Sequence, residues 1–157
     1  MYKYCIGKKI VKNPIRIVNK ITIANSDFKS IFNNYITIDS LESLTNILKE
    51  NIYTDINFIN LNKEDIDYII NLVNEYVEYI DIYNCCYDLI SLNKCVKLKE
   101  VYLRELNNSS LWDLKNNKDI SKLIVTNLPN LNDIEGIRDS SLEVLEIKKI
   151  IRQYLVF

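Results

Sequence analysis

The 157-residue chain contains no histidine, two glycines, two prolines and one methionine. The missing histidine removes the commonest general base and metal ligand, and with it every Ser-His or Cys-His nucleophile pair. With only Gly7 and Gly136, a glycine-rich phosphate-binding loop cannot be assembled. No segment is long and apolar enough to span a bilayer, and the opening MYKYCIGKKIVKNP lacks the apolar run of a signal peptide. A formal net charge of -1 is unlike that of a nucleic-acid scaffold, which carries a basic face or stripe. These absences predict a cytoplasmic protein with reduced cysteines, no cofactor, no bound metal, and neither membrane nor nucleic acid as partner.

What is present is the composition of a soluble globular protein, 48% hydrophobic and 26% charged. A chain of this size buries roughly two-thirds of its unfolded surface. Its one strong charge asymmetry is the basic arm GKKIVKNPIRIVNK, Gly7 to Lys20, where cations alternate with Ile and Val as on a half-exposed strand pair.

The most informative feature is an irregular apolar spacing of three, two and three that returns along the chain. It occurs at Leu98, Val101, Leu103 and Leu106, at Ile120, Leu123, Val125 and Leu128, and at Leu142, Leu145, Ile147 and Ile150. Val77, Ile80, Ile82 and Cys85 form an earlier copy, and INFINLNKE provides another in which Glu64 breaks the last position. Taking the fourth residue of each copy as a ruler gives Ile59, Ile80, Val101, Leu123 and Leu145, at intervals of 21, 21, 22 and 22. A poorer copy lies at Ile36, Ile38 and Leu41. A period near 22 predicts stacked strand-and-connection units that share one continuous core.

On these residues the chain resembles the leucine-rich repeat family, whose pattern is L-x-x-L-x-L-x-x-N/C-x-L. Cys85 takes the family's Asn/Cys place, whereas Leu106, Leu128 and Ile150 put an apolar residue there. The resemblance covers roughly residues 33–150 and implies an α/β solenoid with a parallel concave sheet and helices or 3₁₀ turns on the convex side. Helices are expected around DSLESLTNILKEN and, capped by Asn62, in NKEDIDYIINLVNEY; later connections shorten to short helical or 3₁₀ turns, two turns in YDLISLNKCVK and SSLWDLKNNKD and little more than one in PNLNDIEGIRDSS. Residues 1–32, with alternating Tyr2, Tyr4 and Ile6 and an Asn13-Pro14 turn, predict a strand-rich cap, and 151–157 (IRQYLVF) a second cap.

Few residues offer chemistry. Cys85, Cys86 and Cys95 lack structural zinc spacing and read as one core position and two small connection residues. Trp112 is expected to pack in the convex layer, and Gly136 to supply a turn with positive φ. The Asn107 and Asn108 sequons matter only to a secreted chain. Aligning the strands by the ruler places Phe58, Tyr79, Asp81, Tyr83, Glu100, Tyr102, Arg104 and Lys122 on the exposed face. Aromatic anchors ringed by charge suit a protein interface, and the resemblance implies that the concave sheet binds another protein. A non-catalytic protein-binding module is therefore expected, its oligomeric state open with a monomer favoured. Two alternatives stand beside it: self-assembly through the apolar C-terminal end, and a carbohydrate-active enzyme using Asp81, Glu100 and Glu146 as paired carboxylates.

Overall fold

A computed structural model describes residues 3–12 and 17–149. Strands β1 (Tyr4–Lys12) and β2 (Ile17–Asn25) pair antiparallel, and β3 (Ile36–Ile38) adds antiparallel to the outer side of β1. From β2 onward β4 (Asp55–Ile59), β5 (Tyr79–Tyr83), β6 (Glu100–Arg104), β7 (Lys122–Thr126) and β8 (Val144–Lys148) join in parallel, in chain order. The result is one eight-stranded, mostly parallel sheet of α/β class.

Parallel neighbours require a crossover between strands. Helix α1 (Leu41–Glu50) leads into β4, and α2 (Lys63–Val73) links β4 to β5. The later crossovers carry only 3₁₀ turns, Ile90–Lys94, Trp112–Leu114 and Glu135–Ile137, as the shrinking sequence between strands predicts. Each connection touches the next in chain order. Both helices start at side-chain caps: Ser40 accepts from the Ser43 N–H at 3.2 Å and Asn62 from the Asp65 N–H at 2.9 Å. Their apolar stripes, Leu44, Ile47 and Leu48 in α1 and Ile66, Ile69, Ile70 and Val73 in α2, enter the same core as the inward strand residues.

The three-two-three spacing is the core itself in three copies, while in the last Leu142 is partly buried and Leu145 and Ile147 are exposed. Val77, Ile80, Ile82 and Cys85, then Leu98, Val101, Leu103 and Leu106, then Ile120, Leu123, Val125 and Leu128 are all buried. The register of β4 corrects the ruler. Ile56, not Ile59, pairs with Ile80, so the first interval is 24 residues. Counted from there, Tyr53, Ile56, Phe58 and Leu61 give a complete copy, every member buried. The extra length is taken up by α2, and the mismatch at Glu64 marked a frame set three residues too late. Two consequences follow. Phe58 faces the core at 0% exposure instead of the open face, and Asn57 stands in the outward column beside Asp81. The poor copy at Ile36 and Ile38 is not in the parallel series either: β3 sits at the sheet edge, and β2 fills the place beside β4.

A second period is backbone-borne. Asn60, Asn84, Glu105 and Asn127, each directly after a strand, have φ between 51° and 55°. Each N–H donates to the last carbonyl of the next strand, Tyr83, Arg104, Thr126 and Lys148 respectively, at 2.7–3.0 Å. Asparagine tolerates this left-handed region better than most residues. The kink is followed each time by a core residue, Leu61, Cys85, Leu106 or Leu128. At the Asn/Cys place, Cys85 Sγ accepts the Leu61 N–H at 3.4 Å and so bridges neighbouring units. Buried Asn117 does the same on the other side, donating to the Leu92 carbonyl at 2.8 Å.

Gly136 differs from its expectation. Its φ is not positive; instead an added Cβ would overlap the Leu111 carbonyl and lie 2.6 Å from Trp112 Cα. Close backbone approach of successive 3₁₀ turns, not turn conformation, excludes a side chain there. Gly7 likewise faces the Phe32 ring. At the far edge, β8 leaves Val144, Leu145 and Ile147 40–48% exposed, and among the described residues no strand lies beyond it. The Asn13-Pro14 turn, Ile150 and the 151–157 cap lie outside the described residues.

Candidate functional site

Side chains alternate along a strand, so the face opposite the core carries three rows fixed by the register. Lys20, Asp55, Tyr79, Glu100, Lys122 and Val144 form the first. Thr22, Asn57, Asp81, Tyr102, Ile124 and Glu146 form the second, and Ala24, Ile59, Tyr83, Arg104, Thr126 and Lys148 the third. Seven of the eight expected contact residues, all but Phe58, therefore stand on one face.

They also touch one another. The rings of Tyr79 and Tyr102 lie with centroids 4.9 Å apart at 36°, a tilted pair of the kind aromatic quadrupoles favour. Lys122 Nζ lies 5.6 Å from the Tyr102 ring centre and Lys20 Nζ 5.5 Å from that of Tyr79, so the pair has a cation at each end. Tyr102 Oη donates to Glu100 Oε2 at 3.5 Å. Beside the rings, Arg104 donates from Nε and Nη2 to the two oxygens of Asp81, each at 3.0 Å, while its guanidinium carbon lies 4.9 Å from the Tyr83 ring centre.

The electrostatics follow from depth. Asp81 is 7% exposed, and burial pushes its carboxyl above the usual 3.8, although Arg104 pulls the other way. Burial, then the charge of Asp81, raises the Tyr79 hydroxyl, which stays neutral. The hydrogen bond with Tyr102 foremost raises Lys122. The chemistry on offer is that of contact: apolar ring faces, a bidentate ion pair that fixes Arg104 and Tyr83, and cations at the margin. The acid that an enzymatic reading would employ, Asp81, is engaged by Arg104.

No cluster of three or more His, Cys, Asp or Glu side chains that could hold a metal ion occurs among the described residues. Cys85 and Cys95 are buried, and burial pushes their thiols up to about 11 and about 12; Cys86 is exposed. Trp112 is half-exposed on the helical side under Lys115, 4.5 Å from its ring centre. No helix among the described residues is long and apolar enough to cross a membrane.

The sequence reading missed a groove where strands β4 to β6 end. A cavity of about 410 Å³ between Lys63, Tyr87, Asp88, Asn108 and Asp113 adjoins one of about 270 Å³ between Lys3, Tyr4, Asn60 and Asp65, and Cys86 lines both. Compared with family models, curated proteins and solved structures, the chain matches none.

Proposed function

We propose that this chain is a non-catalytic protein-binding module of leucine-rich-repeat-like solenoid form, acting through the open face of its sheet. The single observation that carries the reading is the Tyr79–Tyr102 pair, ring against ring and framed by Lys20 and Lys122, beside an Arg104 already locked in place by Asp81. Tyrosine and arginine held rigid before binding lose little freedom on contact, which is how residues at energetic centres of interfaces act. The solenoid form is supported by the buried three-two-three columns, by connections that neighbour one another in order, and by the bond between units made by Cys85 at the Asn/Cys place. Free thiols in the core, Cys85 and Cys95, support a reducing compartment such as the cytoplasm.

Panning a random-peptide library on the wild type and on Tyr79→Ala/Tyr102→Ala tests the function. Sequences enriched on the wild type and lost on the folded variant support it; identical enrichment refutes it. A second reading, self-assembly, is favoured by one observation, the half-exposed Leu145 and Ile147 at the β8 edge. Sedimentation of wild type beside Leu145→Lys decides that reading: a wild-type oligomer that the substitution dissolves upholds it, and a wild-type monomer rejects it.

A further inference from the structure

The reading of the open face as a protein-binding surface does not say what kind of segment it takes, but the depth of its charges does. Two of its carboxylates are sunk: Asp55 is 6% and Asp81 7% exposed. The cations stand proud of them. The side chain of Arg104 is 41% exposed over Asp81, and that of Lys148 65% exposed beside Glu146 at 46%. Lys20 and Lys122 rest on ring faces, and among the described residues neither is held in an ion pair. The solvent-facing layer therefore shows Lys20, Arg104, Lys122 and Lys148 against Glu100 and Glu146, although the whole chain is at -1. Counted with the sunken Asp55 and Asp81 the face is formally neutral, but a partner approaching the sheet meets its cations first, two of them, Lys20 and Lys122, outside any ion pair among the described residues.

Those two groups also set a length. The path from Lys20 Nζ to Tyr79 (5.5 Å), across to Tyr102 (4.9 Å) and on to Lys122 Nζ (5.6 Å) keeps the ammonium groups within about 16 Å of each other. An extended chain advances about 3.4 Å per residue, so roughly five residues cover that distance. Between the cations lies the tyrosine pair, an apolar platform. Resting on the protein-binding reading above, we infer that the face takes an extended acidic segment of another protein, with carboxylates on either side of a central aromatic or large apolar residue. That residue packs on Tyr79 and Tyr102, and the flanking acids meet Lys20 and Lys122. Charges at an interface rim act chiefly on specificity and association rate, so the preference is expected to be salt-sensitive.

Fluorescence anisotropy with labelled peptides EESWSEE, QQSWSQQ and KKSWSKK, and with a labelled eight-nucleotide oligothymidylate, tests this directly. At low salt the acidic peptide is expected to bind the wild type at least about tenfold more tightly than the neutral one. Lys20→Glu/Lys122→Glu, folded by circular dichroism, is expected to reverse the order and favour the basic peptide; Lys20→Gln/Lys122→Gln should abolish the preference without inverting it. Equal binding of acidic and neutral peptides, or tighter binding of the basic one, overturns the acidic assignment. If that binding is lost in Tyr79→Ala/Tyr102→Ala, the face reading itself survives. No binding by any peptide overturns both. Tighter binding of the oligonucleotide than of the acidic peptide transfers the face to single-stranded nucleic acid and overturns the protein assignment.

Discussion

Arg104 grips both oxygens of Asp81 at 3.0 Å, one strand over and one row across the sheet. The pair is asymmetric in depth, a carboxylate sunk in the sheet under a guanidinium that reaches solvent. Removing Arg104 leaves a buried charge unpartnered, so Arg104→Ala is expected to lower stability by about 1–3 kcal/mol in urea unfolding. Asp81→Asn, which leaves no uncompensated charge, should cost less.

The pH dependence has a definite sign. The folded-state carboxyl of Asp81 lies above its usual value, burial outweighing Arg104. Its contribution to stability is therefore complete below about 3.8, the unfolded value, and is lost as pH rises through the folded value. Arg104→Ala removes the counterweight, widening the window and deepening the loss. Unfolding curves collected from pH 3.5 upward should show the variant falling away from wild type with rising pH; a constant difference would contradict this assignment.

Phe58 and Tyr102 separate core from face. Phe58 is fully buried, and Phe58→Ala is expected to cost about 3–5 kcal/mol in thermal or urea unfolding. Tyr102 is partly exposed, and Tyr102→Ala should cost well under half of that while removing ligand binding. Reversed magnitudes would place the aromatic residues the other way round.

Thiol reactivity reads out the same layering. Cys86 is exposed, whereas Cys5, Cys85 and Cys95 are buried. Iodoacetamide at pH 8 followed by mass spectrometry should label Cys86 rapidly and the other three only after unfolding. The raised thiols of Cys85 and Cys95 keep their full contribution to stability below the usual 9.0 and lose it as pH climbs toward about 11 and about 12.

Gly136→Ala is expected to destabilise by about 3 kcal/mol, the upper end of overpacking costs, because the added methyl meets backbone rather than a side chain that can move. A neutral substitution would show that the turns at Leu111 and Gly136 are not in contact.

These contrasts mark how far the sequence could be read. Core periodicity was legible because burial acts on every unit alike: Val101, Leu103 and Leu106 repeat as Leu123, Val125 and Leu128. So was the start of α2, where Asn62 supplies the cap that the backbone needs. The frame of the first unit was not, since Ile56, Phe58, Ile59 and Leu61 offer apolar residues to two registers. Only the rejected Glu64 told them apart. The register that sets Arg104 one row from Asp81 was legible, since the ruler aligns Ile80 with Val101 as the sheet does; the bidentate bond itself, set by side-chain conformation and by the depth of Asp81, was not. Asn117 and the positive-φ residues escaped notice because polar residues in connections look alike whether they bridge units or merely face water.

The most direct test of the account is hydrogen–deuterium exchange on the wild type with and without a peptide selected on it. Binding at the open face is expected to slow exchange in 79–83 and 100–104. Protection confined to the rim at 86–88 and 107–113 or to β8, with the two central strands unchanged, would contradict the assignment of function to the Tyr79–Tyr102 face.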